Sequence, residues 1–533
     1  MNPLASPKCA SRVLMALAAI SGIIFAAGCG SSSSTTTTTN PVGFSNSSLT
    51  GTYVFSSQGA DANGYPLALA GTLVSNGTGG ITGGTMDLVD PEITPIPSPS
   101  QVAQAITSGS YEVGSDGRGQ VSLATSAYGT FVLDFVLTST SHGLVTEFDG
   151  TGGGSGTLDL QTAITSLSQL AGPYAFSLAG SDGSSNLNPF ATAGAFTLNS
   201  SGIIAAGAGV EDFNDNGTVI TNQPLTGTAT LGSGTGPGAL TTPGFPNDAF
   251  DFYPIDATHW KIIETDYNDF LAGDVFTQTG ASIPTTTMAF TMSGGTSTTA
   301  VANGGFMTMS GTSVSGSQDV NNGGSVLSAT FSGNAGAAGS VGGRVVVTVS
   351  DFNPANTLVV YPSSGGLLML ETDDSSVTSG AAYAQQAGAA LAASQAYGFN
   401  LSAFNIVNDY EENDIAQFTT TSTGFSGIVD ISDNSGPNGG VAAVSQALGG
   451  SYTLDSTATG RGEATTTANG SAFVGFTFYA VTSNQFLLLE TDGAQVGAGT
   501  FEAQSSSSSA AAAHVAMSLV RPMVRSHAAL RHK

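Results

Sequence analysis

The stretch Leu487–Leu488–Leu489–Glu490–Thr491–Asp492 recurs along the chain. Lys261–Ile262–Ile263–Glu264–Thr265–Asp266 and Leu368–Met369–Leu370–Glu371–Thr372–Asp373 are near copies, and Leu144–Val145–Thr146–Glu147–Phe148–Asp149 is a degenerate fourth. A glutamine follows each glutamate by fourteen residues: Gln161, Gln278, Gln385 and Gln504. The chain is therefore four versions of one module, placed at 44–161, 165–278, 283–386 and 391–504. The repeat is too long for one solenoid turn or propeller blade and suits a small complete domain.

Around that stretch in the fourth copy, short alternating runs are separated by Gly or Asn turns. They begin at Tyr397–Leu401 and end at Thr500–Gln504, with eight runs in all. Alternation with tight turns predicts antiparallel strands. Eight strands in sequence order predict an all-β fold of four meander modules, each closed as a small barrel, with a β-sandwich as the alternative. Phe131, Leu133 and Phe135, Phe250 and Phe252, and Phe476 and Phe478 are assigned to the core. Asp134, Asp251 and Thr477, on the other row, are expected to face water. Trp260, the only tryptophan, begins the row ending in Glu264 and is assigned to the core.

The lead-ins Gly51–Thr52–Tyr53 and Gly172–Pro173–Tyr174 loosely resemble the calycin barrels (lipocalins and avidins). That resemblance implies architecture only and carries no binding residues across. The third module departs from it, reading Met288–Ala289–Phe290.

The N-terminus reads as an address. Lys8 and Arg12 precede an apolar run, Val13 to Phe25, of signal-peptide length and too short to span a bilayer. Ala26–Ala27–Gly28–Cys29 follows and resembles the bacterial lipobox. The resemblance implies cleavage of 1–28, lipidation of Cys29, attachment to a membrane through the lipid, and residence in the cell envelope, at the outer membrane since residue 30 is Gly. Residues 29–43, rich in Ser and Thr, are expected to be a tether, and 505–533 a disordered basic tail. Without Cys9 and Cys29 the body has no thiol, so no disulfide framework is available to it.

Net charge is −27, and the 37 carboxylates of the body face only four basic side chains, Arg118, Lys261, Arg344 and Arg461. Such a surface disfavours nucleic acid. The repeated Glu-x-Asp pair could serve acid–base chemistry or hold calcium. Fourfold repetition favours a structural role instead. Ion pairs are expected among Glu147, Asp149 and Arg118; Glu264, Asp266 and Lys261; Glu371, Asp373 and Arg344; and Glu490, Asp492 and Arg461, with each arginine beside the carboxylates of its own module. Asp87, Asp212, Asp319 and Asp430 close the third strands and are expected to cap turns. Asp212, Asn214 and Asn216 match half of an EF-hand loop but lack its glutamate, so no metal and no cofactor is assigned. Only His142 and His259 lie in the body, too few for a zinc site or a repeated triad.

These readings point to a non-enzymatic lipoprotein that is structural, adhesive or a spacer. The alternatives are a binder of small apolar or carbohydrate ligands, or of a protein, and a carboxylate-dependent hydrolase. Candidate binding loops are the Pro-rich 90–100 segment and an acidic loop at 408–413.

Overall fold

The computed structural model describes residues 43–91, 103–126, 129–234, 236–243, 248–266, 268–352, 356–373, 376–433, 441–456, 460–466 and 475–506. Cys29, the tether, most of the Pro-rich segment and nearly all of the basic tail lie outside the described residues. The four modules belong to one compact unit.

Each module is a closed antiparallel barrel, and no α-helix occurs among the described residues. In the first, the strands are Thr50–Asp61, Pro66–Asn76, Gly80–Val89, Gln104–Val113, Arg118–Thr125, Thr130–Leu137, His142–Glu147 and Gly152–Leu160. Each pairs with the next, and the eighth returns to the first with Phe55 opposite Leu158. Closure leaves no unpaired edge. The second module's fourth strand is broken into Thr218–Pro224 and Gly227–Thr230, and its long third strand, Ile203–Asp215, pairs with both pieces. The third barrel runs from Met288–Gly295 to Val377–Ala384, and the fourth from Ala396–Asn405 to Gln495–Ala503.

Side chains of the inward rows fill the barrels. The fourth holds Tyr397, Phe399, Phe418, Phe476, Phe478 and Phe501 in one cluster, with Phe486 and Phe501 stacked at 4.7 Å. In the second, Trp260 packs on Tyr174 and Phe252.

The outward rows do not face water over much of their length. Asp134 and Thr477, expected in solvent, are buried, and Asp251 is half-buried. The cause is that the barrels pack on one another. Strands one to three of one module meet strands six to eight of the next. Leu368, Leu370 and Tyr361 of the third module bury against Ala175, Ala191, Ala193 and Ala195 of the second. Leu487, Leu489 and Tyr479 of the fourth meet Ala289, Ala300 and Ala302 of the third. Ile263 and Tyr253 of the second meet Val54, Ala68 and Ala70 of the first. Leucine on alanine lets the two sheets approach closely, as close packing requires.

The fourth module then packs on the first, using the same faces. Here the apolar contact shrinks to Val136, Leu144 and Ile415. The strand registers put Asn413 where the other modules carry Ala68, Ala191 and Ala302. Asn413 Oδ1 accepts a hydrogen bond from Ser155 at 2.8 Å. Asn400 donates to Thr146 Oγ1 at 3.0 Å and to the Val145 carbonyl. A head-to-tail contact repeated at a closing rotation makes a ring; within one chain, four copies do so here.

Candidate functional site

The recurrent Glu-x-Asp pair ends the seventh strand of every barrel. Val145, Ile262, Met369 and Leu488 point into the four cores. Side chains alternate, so Glu147, Glu264, Glu371 and Glu490 point inward too, at one mouth of each barrel. All four are at most 1% exposed. The aspartates instead hold the backbone around the last hairpin. Asp149 accepts from Thr151 N, and Asp492 from Ala494 N and Gln495 N. Asp266 accepts from Ala249 N, and Asp373 from Thr357 N.

The four mouths differ. In the third, Glu371 is satisfied by Ser376 N at 3.0 Å and by the hydroxyls of Ser376 and Thr378, both at 2.7 Å. The first mouth adds Asp61 and Asp90. Glu147 has neither oxygen hydrogen-bonded among the described residues. Burial, and then the fields of Asp149 and Glu411, push its carboxyl well above the usual range. In the fourth mouth, Glu412 and Asp414 project from the second strand beside Glu490, all fully buried. Burial raises all three, joined by the fields of Asp433 and Asp492 at Glu412, which is pushed up to about 8, of Glu412 at Asp414, and of Asp492 and Glu412 at Glu490. The expected acidic loop at 408–413 is therefore largely strand: Tyr410–Thr420 continues to the barrel end, where these carboxyls are enclosed.

The arginines do not turn to their own mouths as expected. Arg344 of the third module forms a bidentate pair with Asp212 of the second, Nε to Oδ2 at 2.6 Å and Nη2 to Oδ1 at 2.5 Å. Arg461 of the fourth does the same to Asp319 of the third, at 2.8 and 2.9 Å. Arg118 of the first reaches Asp430 of the fourth at 3.1 Å and also binds Asp116. The physical reason is strand parity. These side chains lie on outward rows, where the preceding barrel of the ring supplies an anion, while the glutamates lie inside. Lys261 pairs with Asp274 of its own module at 2.7 Å, not with Glu264 or Asp266, and His259 shares that carboxylate.

A tyrosine completes three of these contacts. Tyr361 donates to Asp212, Tyr479 to Asp319 at 2.6 Å and Tyr253 to Asp87 at 2.5 Å. The second module has no arginine at this place. Burial and the nearby Asp251 therefore leave the Asp87 carboxyl raised to about 7. In the closing contact, Val136 replaces the tyrosine.

The third-strand aspartates thus do more than cap turns. Asp87, Asp212 and Asp430 also accept from the N–H of Ala103, Asn222 and Ser445. Those three donors have φ of 53°, 57° and 53°, a left-handed kink in the following strand or, for Ala103, just before it. In the half EF-hand, Asp212 is taken by Arg344 and Tyr361. Asn214 points to the third module, donating to the carbonyls of Asp373 at 3.1 Å and Ser376 at 2.8 Å, while Asn216 sits in the turn.

The repeated glutamines form a second circuit. Gln161 donates to the Pro254 carbonyl, Gln278 to Pro362, Gln385 to Ala480 and Gln504 to Leu137. Each acceptor is the residue after Tyr253, Tyr361, Tyr479 or Val136, so every module grips the next at one equivalent place. The fixed fourteen-residue spacing was the trace of this contact.

The closing contact also holds a charged cluster. His142 lies between Asp159 of its own module at 2.6 Å and Glu502 of the fourth at 3.4 Å. Burial opposes its charge, but Glu502 and Asp159 outweigh it and push the imidazole up to about 10.

No protein-family model matches the chain, and the comparison with curated proteins found no match.

Proposed function

We propose that this chain is a lipid-anchored cell-envelope protein whose four barrels form one structural, adhesive or spacer body, without catalytic activity of its own. The observation carrying this reading is that the side chains divide between two packing tasks. Inward rows fill the barrels, and much of the outward rows is spent on neighbouring barrels. A filled barrel leaves little room for the small apolar or carbohydrate ligand of the alternative reading. A ring of mutually gripping barrels resists bending in a way that beads on a string do not. The lipobox-like Cys29 supplies the membrane attachment in this proposal.

Two measurements test it. Radiolabelled palmitate should enter the unmodified protein and be absent from Cys29→Ala, which should leave the membrane fraction. The apolar fluorophore N-phenylnaphthylamine should show no saturable binding to the purified full-length chain. Stoichiometric, saturable uptake would favour the ligand-binding reading. Label in Cys29→Ala equal to the unmodified protein would remove the anchor.

A further inference from the structure

The second barrel's mouth is unlike the others. Asp248 opens its sixth strand, Asp248–Pro254, Glu264 ends its seventh, His259–Glu264, and Asp266 stands two residues on. One carboxylate oxygen from each lies within 4.8 Å of the other two. Asp248 and Glu264 are 5% and 1% exposed. Asp248 Oδ1 and Glu264 Oε2 are buried with no hydrogen-bond donor among the described residues. Glu264 Oε1 is held by Asp269 N at 3.0 Å, and Asp266 Oδ2 by Ala249 N at 2.8 Å. Backbone donors thus fix two of the carboxylates and leave one oxygen of Glu264 unused.

Among the described residues the surroundings add no positive charge. The fields acting on Asp248 come from Glu211, Asp266 and Asp269. Asp182 and Asp215 stand behind Asp269. The module's Lys261 and His259 lie on the outward row and are bound to Asp274. Equivalent positions to Asp248, counted from the residue opposite each seventh-strand glutamate, are Phe131 in the first module and Asn356 in the third. The third carboxylate is therefore not an obligatory part of the fold.

Buried carboxylates without donors are unfavourable unless protonated or matched by a cation. The donor set is all oxygen, with no imidazole or thiolate, which selects a hard ion. Oxygens within 4.8 Å of one another can flank an ion with bonds of about 2.4 Å, as calcium makes, and a site of three protein carboxylates suits calcium better than magnesium, which sheds its water reluctantly. We propose that Asp248, Glu264 and Asp266 bind one calcium ion at the mouth of the second barrel. The ion would tie the start of the sixth strand to the last hairpin. The site stands independently of the anchoring and structural role proposed above.

The test uses the full-length chain in detergent, stripped with EDTA and dialysed against radioactive calcium. About one ion per chain is expected, with equimolar magnesium failing to displace it. Asp248→Asn should weaken uptake by tenfold or more. The same variant relieves repulsion, so its melting midpoint in EDTA should equal or exceed that of the unmodified chain, which separates loss of binding from loss of fold. Absence of uptake at millimolar calcium, uptake unchanged in Asp248→Asn, or equal displacement by magnesium would each overturn the assignment.

Discussion

Gln504, in the last strand's extension, donates its side-chain amide to the carbonyl of Leu137, 2.8 Å away in the first module. A second bond from the same nitrogen reaches the Asp116 carbonyl at 2.7 Å. The last barrel thereby grips the first as each earlier barrel grips its successor. One geometry serves four contacts, but they are not equal. Three are sealed by leucine or isoleucine, tyrosine and alanine, while the closing contact is largely polar.

The arginine contacts should rank by burial. Asp212 is fully buried, so Arg344→Ala strands its charge and should cost about 3 kcal/mol, the range for breaking a buried pair. Arg118 and its partners Asp116 and Asp430 retain more exposure, so Arg118→Ala should cost about 1 kcal/mol or less. Urea midpoints of the two variants check the order, and equal losses would show that the inter-barrel pairs are not graded by burial.

Gly398 sits where Val54, Ala175 and Ala289 stand in the other modules, against the following barrel. A β-carbon there would lie 2.9 Å from Thr138 Cγ2 and 3.0 Å from Val136 Cγ1. Gly398→Val should overpack the closing contact by about 2 kcal/mol. Limited proteolysis should detect the loosening between the first and fourth modules while the second and third remain protected. Digestion matching the unmodified protein would contradict this.

Stability should fall as pH rises from 5 to 8. Burial raises Asp87, Asp134 and Glu211 to about 7 and Asp248 and Glu412 to about 8, all well above unfolded carboxyls. The folded chain therefore binds more protons than the unfolded chain between about pH 4 and 8. Stability from these groups is fully present below the unfolded values near 4 and is lost as pH passes the folded ones. His142 acts with the same sign at higher pH: its contribution is present below about 6.5 and is lost as pH passes about 10. Asp159, Asp274 and Asp319 are lowered, and their contribution vanishes in acid below the usual carboxylate range. Melting midpoints in EDTA should thus peak near pH 5 and decline toward 8; a midpoint rising over that interval would contradict the assignment. Calcium at Asp248 should offset part of the decline.

Much of the barrel architecture was legible because alternation and tight turns are local signals. The inward place of the glutamates follows from the same alternation once Val145, Ile262, Met369 and Leu488 are known to face the cores. The partners of the arginines were not legible. Alternation separates two faces but does not say what covers the outer one, so Asp134 and Thr477 were assigned to water. A clue was present in the opening stretch itself. Leu487 and Leu489 are as apolar as Leu488, and Leu368 and Leu370 as apolar as Met369. Strands apolar on both rows are covered on both faces. The third carboxylate at the second mouth lay too far from the repeat, sixteen residues before Glu264, to be seen as part of it.

The fourth barrel closes onto the first. Ser155 and Asn413 touch across that contact at 2.8 Å, yet stand 258 residues apart in the chain. Cysteines at both positions, Ser155→Cys with Asn413→Cys, should form an intramolecular disulfide under mild oxidation, identified by peptide mapping of the monomer. Two thiols that remain open to alkylation, or that bridge only between molecules, would contradict the ring.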